Sequence, residues 1–173
     1  MMLVALLLMV SLPIGFLILY IEGANRKPDY LLFIFSGIII VFLASIFNWM
    51  FLFPFVELQH LWIAIVEETL KISLFYMVSN KMKSDKIVEI GLSFALWENI
   101  LYAFAINSPI AFLDYWQIAI IRLPATILHF ALALMVINIA KQKDNRLWLL
   151  LPIAHWLGNL LILSLPPIAF ATG

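Results

Sequence analysis

Six apolar runs, divided by short polar clusters, make up the chain: Met2–Ile21, Tyr30–Met50, Leu58–Val78, Ile87–Ile106, Trp116–Ala140 and Leu147–Phe170. Each is close to the roughly 20 residues that a helix needs to cross a hydrocarbon core about 30 Å thick. Inside lipid the backbone has no water to bond, so a run of this length must satisfy its N–H and C=O groups internally, as a helix. The pattern predicts an all-α polytopic membrane protein, a bundle of about six transmembrane helices forming one membrane-embedded domain over residues 1–173. No linker, low-complexity stretch or internal repeat interrupts it. The first run has no positive segment ahead of it and no small-residue cleavage site before Glu22, so it is expected to stay as a helix rather than leave as a secretory signal.

The polar clusters alternate in basic content. Arg26 and Lys27 lie in the first, Lys81, Lys83 and Lys86 in the third, and Lys141, Lys143 and Arg146 in the fifth, while the second and fourth hold no Lys or Arg. Basic connections stay cytoplasmic, so connections one, three and five are expected inside a cell membrane and both termini outside. Trp49, Phe51, Phe53 and Trp62 on one non-basic connection, and Tyr115 and Trp116 on the other, are the residues expected of an interfacial aromatic belt.

Composition turns this pattern into an exclusion. The chain is 65% apolar and 12% charged, against about 45–50% and 25% in soluble domains, so it cannot build a water-facing shell. Zero cysteines exclude a disulfide framework, thiol catalysis and Cys-ligated zinc. A net charge of zero removes the case for nucleic-acid binding, which needs a concentrated basic patch.

Against that background the internal charges stand out. Glu67, Glu68, Lys71, Glu98 and Arg122 fall within apolar runs, accompanied by Asn99, His129, His155 and Asn159. An ionised group at the bilayer centre costs about 2.5–3.5 kcal/mol on insertion scales. Five left unpaired would cost roughly 12–17 kcal/mol, as much as a whole domain's stability, so they must face one another. Counting about 1.5 Å per residue from the cytoplasmic end of each run puts Glu67, Glu68, His129 and Asn159 roughly 18 Å deep, Glu98 roughly 17 Å and His155 roughly 12 Å. Runs three to six thus deliver polar groups to one layer, and runs one and two are expected to pack as lipid-facing support.

Local spacing refines this. Lys71 is i,i+3 from Glu68 and i,i+4 from Glu67, so it can neutralise either carboxylate, leaving one negative charge over. Glu98 shares a face with Tyr102, Arg122 with Thr126 and His129, and His155 with Asn159. Pro124 and Pro152 are expected to release carbonyls and kink their helices near these groups. Two histidines and a carboxylate are a sufficient set of three zinc ligands, leaving a fourth position for water and a further glutamate as general base. A metal-free route would use a buried glutamate to deprotonate water, with Asn159 and Asn99 stabilising the oxyanion.

The same residues fall into four ordered motifs. Glu67-Glu68-Thr69-Leu70-Lys71 is EExxK, Gly91 to Asn99 is GxxFAxxEN, His129 stands alone on the next run, and His155 to Asn159 is HxxxN. In that order, on four successive runs, they resemble the PrsW family of intramembrane peptidases, part of the wider CAAX prenyl endopeptidase and bacteriocin-processing superfamily. Where the CAAX peptidases carry FxxxH, this chain has Phe94 followed by Glu98, which fits PrsW better than prenyl-protein processing. The resemblance implies a glutamate-dependent peptidase, with zinc or another divalent metal, acting on a membrane-anchored or membrane-embedded protein. By motif, Glu67 and Glu68 would supply the base and its partner, Glu98, His129 and His155 the metal set, and Asn159 a polar stabiliser. Lys71, Asn99 and Arg122 would support them. Two other classes use the same residues differently. A proton-coupled transporter would relay protons through them, and a non-catalytic scaffold would keep them only as packing charges.

Overall fold

The computed structural model describes residues 2–23, 27, 29–51, 56–79, 86–105, 115–142 and 148–164. Six helices account for nearly all of them: α1 (Met2–Gly23), α2 (Tyr30–Met50), α3 (Val56–Ser79), α4 (Lys86–Ala105), α5 (Tyr115–Gln142) and α6 (Leu150–Ser164). No strand occurs among the described residues. The all-helical expectation therefore holds, with most ends displaced by one to three residues from the apolar runs. Tyr30–Met50, Lys86–Phe104 and Arg122–Gln142 are long and apolar enough to cross a membrane, while Leu7–Gly23 and Leu150–Ile162 are apolar but shorter. α3 has the length at 24 residues, but Glu67, Glu68 and Lys71 interrupt its apolar surface at mid-helix.

α4 lies at the centre. It packs against α1, α2, α3 and α5, and the outer helices touch in the order α1, α5, α6, α3, α2, with no contact between α1 and α2 among the described residues. Every residue of α4 from Ile87 to Leu96 is buried. Two glycine positions permit the close crossings this requires. A Cβ on Gly37 of α2 would collide with the backbone and hydroxyl of Ser93, and one on Gly91 would lie 2.9 Å from the Ala133 Cβ of α5 and 3.3 Å from the His129 carbonyl. Ser93 uses the proximity: its hydroxyl accepts the Gly37 N–H at 2.8 Å and donates to the Phe33 carbonyl, bridging two groups that would otherwise face each other within α2. Small residues at crossings, sealed by a hydroxyl, are a typical means of joining helices in lipid.

The start of α2 is tied to α4 by a charge absent from the expectations above. Asp29 caps α2, its carboxylate accepting the Leu32 N–H at 3.0 Å. Its own N–H donates to Glu89 Oε2 at 3.2 Å, and Lys86 donates to Glu89 Oε1 at 2.8 Å. Glu89 is thus a buried helix tether.

α1 and α2 turn large apolar side chains outward, among them Leu19, Leu31, Phe35 and Phe42, as lipid-facing support requires. At the far end of α2, Trp49 is exposed and the Phe51 ring packs against Trp62 with centroids 4.9 Å apart. Phe53 and the side chains of Tyr115 and Trp116 lie outside the described residues, as do Arg26, Lys81, Lys83, Lys143 and Arg146. One expectation is corrected. Pro152 does not kink a span, because α6 begins at Leu150 after a short 3₁₀ turn at Trp148–Leu149. Pro152 occupies the first turn of the helix, where its missing N–H has no intrahelical partner to lose. Pro124 does lie within α5.

Candidate active site

α3, α4, α5 and α6 bring their internal charges to one buried cluster. Glu67, Glu68, Lys71, Arg122, His129 and His155 are none of them more than 6% exposed. Glu98 is the most open member of the group, with 16% of its side chain exposed. Burial on this scale removes most of these groups from bulk solvent, so most must find their partners in the protein.

The connections form a continuous chain. From α6, His155 Nδ1 lies 2.7 Å from Glu68 Oε1. The same oxygen accepts from Lys71 Nζ one turn further along α3. Lys71 Nζ also lies 3.3 Å from His129 Nδ1, and it sits over the Phe94 ring at 4.7 Å. His129 Nε2 faces Glu98 Oε2 at 3.0 Å, and Arg122 donates to that oxygen from its Nη2. Arg122 Nε in turn donates to Asn99 Oδ1 at 2.6 Å, while its guanidinium stacks over Tyr102 at 4.6 Å. The two imidazoles meet edge to face, with centroids 5.1 Å apart at 89°.

Asn99 closes the chain against α1. Its Nδ2 donates to the Met9 carbonyl at 2.9 Å and to Thr126 Oγ1 at 3.1 Å. Met9 is four residues before Pro13, whose ring nitrogen carries no hydrogen, so the Met9 carbonyl lacks its helical donor and is free to accept. α1 is therefore more than lipid-facing support. Asn99 is fully buried with its amide oxygen and nitrogen both engaged, so in this arrangement it ties α4 to α1 and α5 and neither amide hydrogen is free for an oxyanion. Asn159 shares the His155 face of α6 and is half-buried, and its side chain makes no hydrogen bond among the described residues.

Glu67 differs from its neighbour. Its Oε2 is buried without a hydrogen-bond partner and lies 3.6 Å from His155 Nε2. Because Glu68 accepts at His155 Nδ1, the proton of a neutral imidazole belongs on Nδ1 and the lone pair on Nε2 points toward Glu67. Two acceptors that face each other across a gap are suited to a water donating to both, or to a cation. Zinc–ligand bonds of about 2.0–2.2 Å place neighbouring ligand atoms roughly 3.3–3.6 Å apart. One ligand atom each from Glu67, His129 and His155 lie within 4.8 Å of one another. A carboxylate and two imidazoles suit zinc, so these residues fit a divalent cation. The group differs from the expected one in a single member: Glu98 is turned to Arg122 and supports His129, and Glu67 takes its place.

Charge agrees with this division. Among the described residues, Glu67, Glu68 and Glu98 share two permanent cations, Lys71 and Arg122, which with neutral imidazoles leaves one negative charge to be balanced by a proton or a cation. The unpaired atom identifies Glu67 as its seat. Among the partners, the Met9 carbonyl was hidden from sequence reading. Only the proline four residues on could have signalled it.

No family model, no curated protein and no solved structure matches the chain.

Proposed function

We propose that the chain is a six-span membrane peptidase with both termini outside, cleaving a membrane-anchored or membrane-embedded protein with a water activated by Glu67. The observation that carries this reading is the unsatisfied Glu67 Oε2 facing His155 Nε2 inside a cluster drawn from four helices. The four ordered motifs and their likeness to the PrsW peptidases support it.

In this reading Glu67 accepts a proton from water as the water oxygen attacks the scissile carbonyl carbon. The proton passes to the departing amine nitrogen as the C–N bond breaks, and Glu67 ends as it began. Glu68, committed to Lys71 and His155, orients the His155 ring rather than acting as the base. Glu98, held by Arg122, does the same for His129. Asn159, one turn beyond His155 and without a described partner, is the remaining amide for the developing oxyanion. With zinc or another divalent cation bound, Glu67, His129 and His155 would be its ligands, and acidification of the attacking water by the metal would replace proton abstraction by a free Glu67.

The test is cleavage of candidate membrane peptides by purified protein in lipid nanodiscs. Loss of a general base lowers rate by about 10²–10⁴-fold, so Glu67→Gln should fall by at least about 100-fold while remaining folded. Wild-type cleavage that survives Glu67→Gln would remove the reading. One observation favours a second reading: the unbroken chain from His155 through Glu68, Lys71 and His129 to Glu98 is also what a proton path needs. A proton-coupled carrier would show flux in liposomes and no cleavage.

A further inference from the structure

We infer that the Lys71 ammonium is a built-in competitor for the metal, because with Glu98 on His129 Nε2 the Nδ1 lone pair is the ring position left to a divalent cation at Glu67, His129 and His155, and Lys71 holds it. The inference rests on reading that group as a metal site. The two imidazoles of the group are not equally prepared. His155 has its Nδ1 proton directed to Glu68 and its Nε2 lone pair directed at Glu67. Both nitrogens of His129 are engaged, Nε2 by Glu98 at 3.0 Å and Nδ1 by Lys71 at 3.3 Å. An ammonium has three donors and no acceptor, so its contact consumes the Nδ1 lone pair. The proton of a neutral His129 is then on Nε2, where Glu98 accepts it. Nothing is left on that ring for a metal.

Lys71 can yield this position without losing its other partners. It is also bound to Glu68 and packed over Phe94, and its four-carbon stem allows the ammonium to swing away from His129 Nδ1 while Glu68 Oε1 stays on His155 Nδ1. Loading would break the Lys71–His129 contact alone and leave Glu98 on Nε2, so that His129 would ligate through Nδ1 with its outer nitrogen already oriented. Glu68 already gives His155 the equivalent support. Metal ligation with a carboxylate on the far nitrogen is a common arrangement. The empty chain and the loaded chain then differ in which cation faces His129.

Zinc affinity of the full chain in nanodiscs, measured by competition with a chromophoric chelator, tests this directly. Lys71→Met and Lys71→Gln should each bind zinc at least about tenfold more tightly than wild type, and His155→Ala should abolish binding. Arg122→Gln removes a positive charge from the same cluster without touching His129 Nδ1, so it should raise affinity much less. Equal affinity in wild type and both Lys71 variants overturns the inference, and so does an equal gain in Arg122→Gln, which would make the effect one of charge alone. If the Lys71 variants fail to fold, imidazole ¹⁵N spectra of the wild type decide. Zinc should shift His129 Nδ1 as well as His155 Nε2, and a shift confined to His155 overturns the proposal. Absence of any zinc binding in wild type and variants removes the metal and this inference together, while loss of cleavage in Glu67→Gln would still stand as the separate test of the peptidase.

Discussion

Glu67 and Glu68 are adjacent in the chain and have different chemistry. Successive residues on a helix point about 100° apart, so one carboxylate meets Lys71 and His155 Nδ1 while the other, among the described residues, meets His155 Nε2 alone. Spacing alone made Lys71 available to either glutamate, which is why the sequence does not show which carboxylate stays unpaired. The choice depends on the position of α6, a long-range fact. A stability prediction follows from the pairing. Removing one partner of a buried ion pair costs about 3–5 kcal/mol, whereas replacing both with apolar groups of similar size is often neutral. Glu68→Ala should therefore lower unfolding stability in detergent by about that amount, and Glu68→Met combined with Lys71→Met should recover most of it. A double variant no more stable than the single one would show that the pair is not what Glu68 supplies. Asn99 gives a second case at this scale. Asn99→Leu strands the Met9 carbonyl and the Arg122 Nε–H, at about 1–3 kcal/mol for each unpaired buried group, and should destabilise the fold whether or not a substrate is present.

Helix crossings govern the next scale, and they were the least legible part of the sequence. The six helices could be read from six apolar runs, since length and apolarity are local properties. Which helix occupies the centre could not, because α4 carries Glu89, Glu98 and Asn99 and is less uniformly apolar than α2. Its central place depends instead on Gly37 meeting Ser93 and Gly91 meeting Ala133, pairings that no periodicity encodes. The glycines differ accordingly in their tolerance. A methyl group added at Gly15 would have nothing within 4 Å, whereas one at Gly37 would meet the Ser93 backbone. Gly15→Ala should be neutral or stabilise α1 by about 0.5–1 kcal/mol through helix propensity. Gly37→Ala should destabilise by at least about 1–3 kcal/mol, the usual cost of overpacking. Thermal unfolding of the two variants side by side measures the difference, and equal effects would mean that the α2–α4 crossing has slack.

For the molecule as a whole, the open question of chemistry becomes one of how many helices cross. Three helices are apolar enough to span by composition, while the alternation of basic connections predicts six. The counts differ by α1, α3 and α6, and α3 is the member that carries Glu67, Glu68 and Lys71. Its three mid-helix charges disqualify it by composition, yet Glu67, Glu68 and Lys71 are all buried against α4, α5 and α6, so the lipid would meet little of that charge. A charged helix can span when its charges are paired inside the bundle. Lys27 and Lys141 flank α2 through α5. If all four of these helices cross, the two lysines lie on the same face, and if α3 does not, they lie on opposite faces. The chain has no cysteine, so single substitutions report cleanly. Lys27 and Lys141 are exposed, as is Phe51 at the other end of α2. A membrane-impermeant maleimide added to intact cells should label Phe51→Cys and spare both Lys27→Cys and Lys141→Cys until the membrane is permeabilised. Labelling of one lysine position but not the other would remove α3 from the membrane and with it the mid-bilayer site. Labelling of both, with Phe51→Cys spared, would keep the bundle and invert it.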